Sequence, residues 1–208
     1  MLIDFRTLFP KYGIKPKGVL HVGANKGEEF PVYMELGIKK QIWVEAYKPV
    51  FEKLKKNVSS NPEAICWNAL VGDKNEKTTF HISNNGSQSS SILELGTHAQ
   101  VHPDVHYIEH IEMDMVKLFD LLQSPFVNVE NYDFLNMDLQ GSELRALKGL
   151  GKLIENFKWA YLEVNEKELY KDCALIDDID YYLGAYGFQR VETKWCGDTS
   201  WGDALYIR

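Results

Sequence analysis

The sequence predicts an α/β fold in which a mostly parallel β-sheet is covered by helices and ends in an antiparallel C-terminal strand. Short apolar segments alternate with amphipathic ones along most of the 208 residues, which is typical of β-α-β units in a parallel sheet. Gly37 and Gly187 follow two amphipathic segments, as expected where helices end. The last two apolar segments have no helix between them, so they should pair antiparallel.

The elements follow in order from the periodicity of the apolar residues. A short amphipathic helix is predicted within residues 3–13, in an N-terminal helical extension that covers 1–17. Strands are predicted at 19–22, 41–46, 64–71, 77–82, 105–113, 132–139, 159–164, 188–194 and 204–207. Helices are predicted at 28–36, 49–58, 116–122, 142–155 and 176–186, the third of them with Asp114 as its N-cap.

Length, net charge and cysteine content limit the classes to which the protein can belong. The length suits one domain, predicted to span residues 1–208. A net charge of −7 and a pI near 5.4 exclude the basic footprint of a nucleic-acid-binding protein. Three cysteines without a C-x-x-C pair favour a reducing compartment over a disulfide scaffold. No apolar stretch approaches the roughly 20 residues that cross a bilayer, and the first residues do not resemble a signal peptide. We therefore expect a cytoplasmic protein.

The loop after the first strand reads Gly23-Ala24-Asn25-Lys-Gly27. Gly23 permits a tight turn, Gly27 a close approach to the backbone, and the following helix start offers free N–H groups. The loop is neither G-x-G-x-x-G nor a P-loop, which disfavours ATP, GTP and, more weakly, NAD(P). A plain connecting turn is the alternative interpretation.

An acidic residue, Glu45, ends the second strand 22 residues after Gly23. At that spacing a carboxylate can accept hydrogen bonds from both ribose hydroxyls of an adenosine ligand. Ala46 follows it, and Ala69 in the third strand segment is expected to border the adenine ring. The missing third glycine and the antiparallel C-terminal strand favour S-adenosylmethionine over NAD. The alternative interpretation of Glu45 is an exposed acid in a loop.

Two further acids lie on predicted strands. Asp138 is at a strand tip, and Glu163 is embedded in the apolar segment 159–164, where an unpartnered carboxylate is costly. Asp138, Glu163 and His81 are the candidate catalytic residues, as a general base or as orienting groups. The alternatives are a loop-capping role for Asp138 and a lysine partner for Glu163.

A metal site is the less favoured interpretation of the remaining polar residues. His98, His102, His106 and His110 recur every four residues, but Pro103 interrupts a helix there, so no metal ligand is assigned. A divalent ion held by Asp138 and Glu163 stays open as a minor variant.

Five segments together resemble one family. They are 22–27 (VGANKG), 44–49 (VEAYKP), 112–115 (EMDM), 137–149 (MDLQGSELRALKG) and 162–164 (LEV). The chain resembles, from about residue 18 to 208, the FkbM-type methyltransferases, a branch of the S-adenosylmethionine-dependent Rossmann-like enzymes. The resemblance implies a class I methyltransferase sandwich and methyl transfer, usually to a hydroxyl oxygen, on sugars, glycolipids or polyketide-like products. The cofactor residues it implies are Gly23, Asn25, Gly27, Glu45 and Asp138.

Two positions depart from that family pattern. His21 stands where an acid is often found, and Gln140 where a glutamate is usual. Glutamine keeps hydrogen-bonding capacity but cannot act as a base at neutral pH. The expected function is thus O-methylation of a small-molecule or saccharide acceptor, chosen by an insertion at 83–113. The alternatives are an NAD(P)-binding Rossmann enzyme and a catalytically silent binding protein with the same fold.

Overall fold

A computed structural model of the chain describes residues 2–208. The strands are β1 (Gly18–Val22), β2 (Lys40–Glu45), β3 (Ala64–Asn68), β4 (Leu70–Gly72), β5 (Glu76–Ser83), β6 (Tyr107–Lys117), β7 (Phe134–Met137), β8 (Trp159–Asn165), β9 (Gln189–Trp195) and β10 (Trp201–Ile207). The α-helices are α1 (Phe5–Tyr12), α2 (Phe30–Glu35), α3 (Lys48–Val58), α4 (His98–Val101), α5 (Leu118–Leu122), α6 (Glu143–Leu150) and α7 (Ile176–Gly184).

The main sheet has seven strands in the order β3-β2-β1-β7-β8-β10-β9. The pairs from β3 to β8 are all parallel, whereas β10 pairs antiparallel with both β8 and β9. The predicted fold class is confirmed, and the antiparallel strand lies inside the sheet near its end. The carboxyl ends of β1, β2, β7 and β8 consequently meet at one edge.

A separate three-stranded sheet, in the order β4-β6-β5, was not predicted. The sequence predicted one strand over residues 64–71, but the chain leaves the main sheet at Ala69. The Asn68 amide donates hydrogen bonds to the carbonyls of Glu45 and Ala46 at 2.9 and 2.7 Å, at the point where β3 ends. Leu70 then pairs with Met115 in the small sheet. A side-chain bond to the backbone thus replaces the continuing ladder.

The prediction that Asp114 caps a helix is wrong. Asp114 lies inside β6, opposite Lys77 of β5, and the next helix begins only at Leu118. β6 pairs on both sides, with β4 and with β5, and these two ladders extend the strand through Lys117. The helix predicted over 142–155 also ends early, because Gly151 adopts a φ of 57° and a 3-10 turn follows.

Helices cover both faces of the main sheet. The strand β1 is buried along its whole length, as expected for a parallel strand between two helical layers. On one face the buried apolar residues come from α5, α6 and α7, and on the other from α1, α2 and α3. The N-terminal helix is part of this core, since the Phe5 ring lies 4.9 Å from Tyr161 and 5.5 Å from Phe134, centroid to centroid.

One close backbone contact joins α6 to the small sheet. A Cβ atom added at Gly149 would collide with the carbonyl oxygen of Gly72, at the end of β4. Glycine at position 149 therefore allows the helix to lie against the strand end. Among residues 2–208, no helix combines the length and apolar character that crossing a bilayer requires.

Candidate active site

A cavity of about 400 Å³ lies at the edge where β1, β2, β7 and β8 end. This is the position at which open α/β sheets bind their ligands. The loops after these four strands line one part of it, and residues between 85 and 105, from the segment that joins β5 to β6, line another. Eight of the ten residues predicted for the site line the cavity, namely Gly23, Ala24, Asn25, Glu45, Ala46, Ala69, Asp138 and Glu163. Gly27 and His81 do not.

The loop after β1 is shaped by backbone contacts that exclude side chains. Gly23 has a φ of 76°, and a Cβ atom there would overlap the carbonyl oxygen of Asp138. The N–H groups of Gly23 and Ala24 both donate to the Val44 carbonyl at 3.0 Å. Asn25 has a φ of 44°, and its buried Oδ1 has no hydrogen-bond partner. The loop therefore offers a free acceptor atom at the cavity wall.

Gly27 lies against the neighbouring helix α3. Its φ is 74°, and a Cβ atom would press against Leu54 and Val58 of α3. The close approach that glycine permits here is to a neighbouring helix, so the residue shapes the loop by packing.

The Glu45 carboxylate joins the ends of two loops. Its Oε2 accepts from the Asn25 N–H at 2.9 Å, and its Oε1 accepts from the Tyr47 N–H at 2.8 Å. Burial raises the pKa of this carboxyl to about 7. Each oxygen retains a lone pair after these bonds, so Glu45 can also accept from a ligand hydroxyl.

Gln140 bridges the two acids at the ends of β7 and β8. Its Nε2 donates to Asp138 Oδ1 at 2.6 Å and to Glu163 Oε2 at 2.8 Å. Its Oε1 accepts from the Tyr170 hydroxyl at 2.6 Å. The residue that departs from the family pattern is therefore fully engaged, and it fixes both acids from a left-handed backbone conformation with a φ of 53°.

The environments of the two acids differ. Burial raises the pKa of Asp138 to about 6. Burial together with the charges of Asp138 and Glu143 raises the pKa of Glu163 well above its ordinary value. At neutral pH, Asp138 is therefore mainly ionised, whereas its surroundings shift Glu163 toward the protonated form. Acids whose pKa values are raised by burial and by neighbouring charges are typical of catalytic sites.

The carboxyls of Asp138, Glu143 and Glu163 each place an oxygen within 4.8 Å of the other two, a spacing that a cation could bridge. Their oxygens also have protein donors. Glu143 Oε1 accepts from the Leu139 N–H at 2.7 Å, and the Gln140 amide lies between the other two acids. The cluster is thus held together by N–H groups.

The predicted catalytic histidine lies apart from the cavity. His81 Nδ1 is 2.6 Å from His110 Nδ1, and its ring stacks on Tyr107 with the centroids 4.9 Å apart. His98 and His102 do line the cavity, as does Asn165, which the sequence analysis missed. Asn165 follows Glu163 by two residues, so strand alternation could have placed it on the same face.

His21, the other departure from the family pattern, lines the cavity but is almost fully buried. Its ring stacks on Trp43 at 5.0 Å between centroids, and the Tyr33 hydroxyl lies 3.3 Å from its Nδ1. Burial lowers the pKa of His21 to about 3, so the imidazole is neutral at physiological pH. It contributes packing and a hydrogen bond but no charge.

Charge is the most distinctive property of the cavity. Six acidic side chains line it, those of Glu28, Glu29, Glu45, Asp138, Glu163 and Asp203. Among the described residues, no lysine or arginine lines it. Such a wall attracts a cation and repels a pyrophosphate.

The comparisons with known proteins agree with the observed fold. A family model described as the methyltransferase FkbM domain matches residues 21–190. No curated protein matches the sequence.

Three solved structures share the fold. Sp1610 of Streptococcus pneumoniae, in complex with S-adenosyl-L-methionine, is 16% identical, with a TM-score of 0.54 over 100% of this chain and 73% of that one. The magnesium protoporphyrin IX methyltransferase ChlM of Synechocystis PCC 6803, with bound SAM, is 12% identical, with a TM-score of 0.52 over 97% and 74%. A SAM-dependent methyltransferase from Aquifex aeolicus is 15% identical, with a TM-score of 0.51 over 100% and 91%. At these identities the likeness concerns the fold alone.

Proposed function

The chain belongs to the FkbM methyltransferase family, and from that premise we propose that it transfers a methyl group from S-adenosylmethionine to a hydroxyl oxygen of a small molecule such as a sugar or glycolipid. The observation that carries the proposal is the cavity wall with six acidic side chains and, among the described residues, no lysine or arginine. S-adenosylmethionine brings a sulfonium and an ammonium cation to such a wall, whereas NAD(P) would bring a pyrophosphate.

The residues present fit this cofactor. Glu45 has lone pairs for the ribose hydroxyls, and Ala46 and Ala69 offer small side chains beside it. The unpartnered Oδ1 of Asn25 and the ionised Asp138 offer acceptors for an ammonium group. Gly23 keeps the wall free of a side chain at the point where β1 and β7 end. These residues, with Gly27 supporting the loop from behind, are the proposed cofactor site.

S-adenosylmethionine supplies an electrophilic methyl group when bound. The chain would align donor and acceptor, exclude water and receive the proton that an alcohol loses during attack. Asp138 is our candidate for the base, since its pKa of about 6 leaves it ionised at neutral pH. Glu163, whose pKa is raised well above its ordinary value, would orient the acceptor. His81 does not line the cavity, so we assign it no direct role.

The acceptor would enter on the side of the segment between β5 and β6. Asn85, Gln88, Ser89 and Ser90 of that segment line the cavity. Loops over a rigid scaffold commonly determine specificity, so we propose that this part of the predicted 83–113 insertion selects the acceptor. The three free cysteines, Cys66, Cys173 and Cys196, fit our proposal of a cytoplasmic site of action.

Calorimetry tests the cofactor. We expect binding of S-adenosylmethionine and S-adenosylhomocysteine in the micromolar range, an affinity of the order common for enzyme substrates. Glu45→Ala should weaken it at least about tenfold, or roughly 1.4 kcal/mol. Glu52→Ala, which removes an exposed acid on α3, is the matched control and should leave it unchanged. The absence of heat with both ligands would exclude the proposal, and heat with NADH would favour the dinucleotide alternative.

Methyl transfer is tested with radiolabelled S-adenosylmethionine and a panel of neutral glycosides, polyols and primary amines. Label in a product that resists mild alkali, as an ether does, supports O-methylation. Label in an amine product would contradict the choice of oxygen. Cofactor binding without transfer to any acceptor would instead favour the catalytically silent binding protein.

A further inference from the structure

Buried polar atoms without partners are concentrated at the cavity. Among residues 2–208, the buried side-chain atoms that lack a hydrogen bond are Asn25 Oδ1, Asp73 Oδ1, His98 Nδ1, Asp133 Oδ2 and both amide atoms of Asn165. Asn25, His98 and Asn165 line the cavity. Buried polar groups are nearly always paired in folded proteins, so an exception calls for a ligand or another explanation.

Asn165 is the strongest of these exceptions. It is 1% exposed, and its amide nitrogen and oxygen both lack a partner. A carboxamide can donate two hydrogen bonds and accept two, so an unpaired one inside a protein is costly. The side chain is last on β8, where no helix or turn uses it as a cap. The arrangement is therefore unfavourable unless something in the cavity binds the amide.

The position of Asn165 assigns it to the side of the cavity away from the proposed nucleoside site. Glu45 ends β2 and Asn165 ends β8, with β1 and β7 between them. Three strand spacings separate the two, or roughly 14 Å. Asn165 lies two residues beyond Glu163 on the same strand face, and its partner across the ladder is Trp201. It is thus on the far side of the acids that would activate the acceptor.

The chemistry of the amide selects its ligand. A hydroxyl group donates and accepts, so one or two neighbouring hydroxyls can satisfy both Asn165 atoms. A phosphate or an ionised carboxylate mainly accepts hydrogen bonds, and it would share the cavity with Asp138 and Asp203. Repulsion by these acids disfavours an anionic acceptor.

His98 provides a second contact of the same kind. It is 4% exposed, its Nδ1 has no partner, and its ring lies 5.3 Å from Tyr170, whose hydroxyl binds Gln140. Burial lowers the pKa of His98 to about 4, so it is neutral and brings no cation for a phosphate. A neutral imidazole nitrogen suits a hydroxyl in either tautomer.

We propose that Asn165 is a specificity-determining residue that binds the acceptor through hydroxyl groups next to the one that is methylated, with His98 as its second contact, and that the acceptor is therefore an uncharged polyhydroxyl compound. This inference rests on the proposed methyl transfer, since it names the acceptor side of that same site.

The test compares two variants at opposite ends of the cavity. Asn165→Leu removes both amide atoms but keeps a side chain that branches at Cγ, and Asn25→Gly removes the other unpartnered amide oxygen without straining its left-handed backbone. Binding of S-adenosylhomocysteine is measured by calorimetry. Acceptor binding is measured by saturation-transfer NMR on the complex with S-adenosylhomocysteine. The probes are the methyl glycosides of glucose, galactose, mannose and rhamnose, with glucose 6-phosphate as the matched anion.

We expect at least one neutral glycoside to bind the wild-type complex and glucose 6-phosphate not to bind. Asn165→Leu should weaken the glycoside at least tenfold and change the affinity for S-adenosylhomocysteine less than twofold. Asn25→Gly should weaken S-adenosylhomocysteine at least tenfold and change the affinity for the glycoside less than twofold. Asn165→Asp, which keeps the side-chain shape but loses the donor, should weaken the glycoside as well. Retained S-adenosylhomocysteine binding also shows that each Asn165 variant is folded.

Three results would overturn the inference. They are loss of S-adenosylhomocysteine binding in Asn165→Leu, unchanged glycoside binding in both Asn165 variants, and failure of every neutral glycoside to bind the wild-type complex. Failure of the wild-type protein to bind S-adenosylmethionine or S-adenosylhomocysteine is a different result, because it contradicts the proposed function itself.

Discussion

Single residues at the strand ends determine what the cavity can hold. Gly23 and Gly37 have the same φ of 76°, but their surroundings differ. A Cβ atom at Gly23 would overlap the Asp138 carbonyl, whereas nothing lies within 4 Å of one at Gly37. The pair therefore separates backbone strain from steric exclusion.

Gly23→Ala should abolish binding of S-adenosylmethionine, because the β1 loop must move away from Asp138. Gly37→Ala should bind normally and cost about 1 kcal/mol of stability, the usual penalty for alanine in a left-handed conformation. Calorimetry and chemical denaturation measure the two effects. Equal affinity in Gly23→Ala and wild type would show that the loop does not contact the cofactor.

Asp138 should set the pH dependence of methyl transfer. Its pKa of about 6 predicts a rate that rises about tenfold per pH unit below 6 and levels off above it. Asp138→Asn should lower kcat by about 10²–10⁴-fold, the range for loss of a general base. Glu166→Gln, at an exposed acid just beyond β8, is the control. A flat profile from pH 5 to 8 would be incompatible with this role.

Sequence reasoning found residues by type and spacing but not by surroundings. Glu45 was selected because it ends a predicted strand 22 residues after Gly23, and Asp138 because it lies at the tip of a predicted strand. Gln140 was recognised only as a departure, since its bonds to Asp138, Glu163 and Tyr170 depend on three separate segments. Asn165 was missed because the absence of a hydrogen-bond partner is not visible in a sequence.

At the scale of elements, the alternation of strands and helices was predictable, and the small sheet was not. The break at Ala69 depends on Asn68 finding two carbonyls at the end of β2. The length of β6 depends on ladders with both β4 and β5. Both are long-range pairings, which local periodicity does not report.

The contact between α6 and β4 gives a test at this scale. Gly149→Ala would drive a methyl group into the Gly72 carbonyl, and we expect it to cost about 1–3 kcal/mol, as overpacking does. Gly184→Ala in α7 has open space around it and should be neutral or stabilising by up to about 1 kcal/mol. Thermal unfolding of the two variants distinguishes them, and equal midpoints would contradict the described contact.

For the whole molecule, the buried acids make stability depend on pH. Burial raises the pKa of both Glu45 and Glu143 to about 7, whereas in the unfolded chain such groups titrate near 4. Between these values the folded state binds more protons than the unfolded state, so stability falls as pH rises through 7. The lowered pKa values of His21 and His98 make stability rise with pH instead, but only below the ordinary histidine pKa of about 6.5.

The ligand-free protein should therefore lose stability between pH 6.5 and 8. Its melting temperature should fall by roughly 2–4 °C for each kcal/mol lost. Saturating S-adenosylmethionine should reduce the fall, because its cations offset the carboxylates. Scanning calorimetry across this range measures both curves. A melting temperature that rises toward pH 8 without ligand would show that the acids are not buried as described.

The six acidic side chains of the cavity also affect turnover. Transfer of the methyl group converts a charged sulfonium into a neutral thioether, so the reaction itself removes one of the two cations that the carboxylates attract. The spent donor is then held by fewer charge contacts than the fresh one, and in the proposed reaction the proton that leaves the acceptor also neutralises an acid. The enzyme would therefore discard its by-product more readily than it releases its donor, and each cycle would resist inhibition by what the previous cycle left behind.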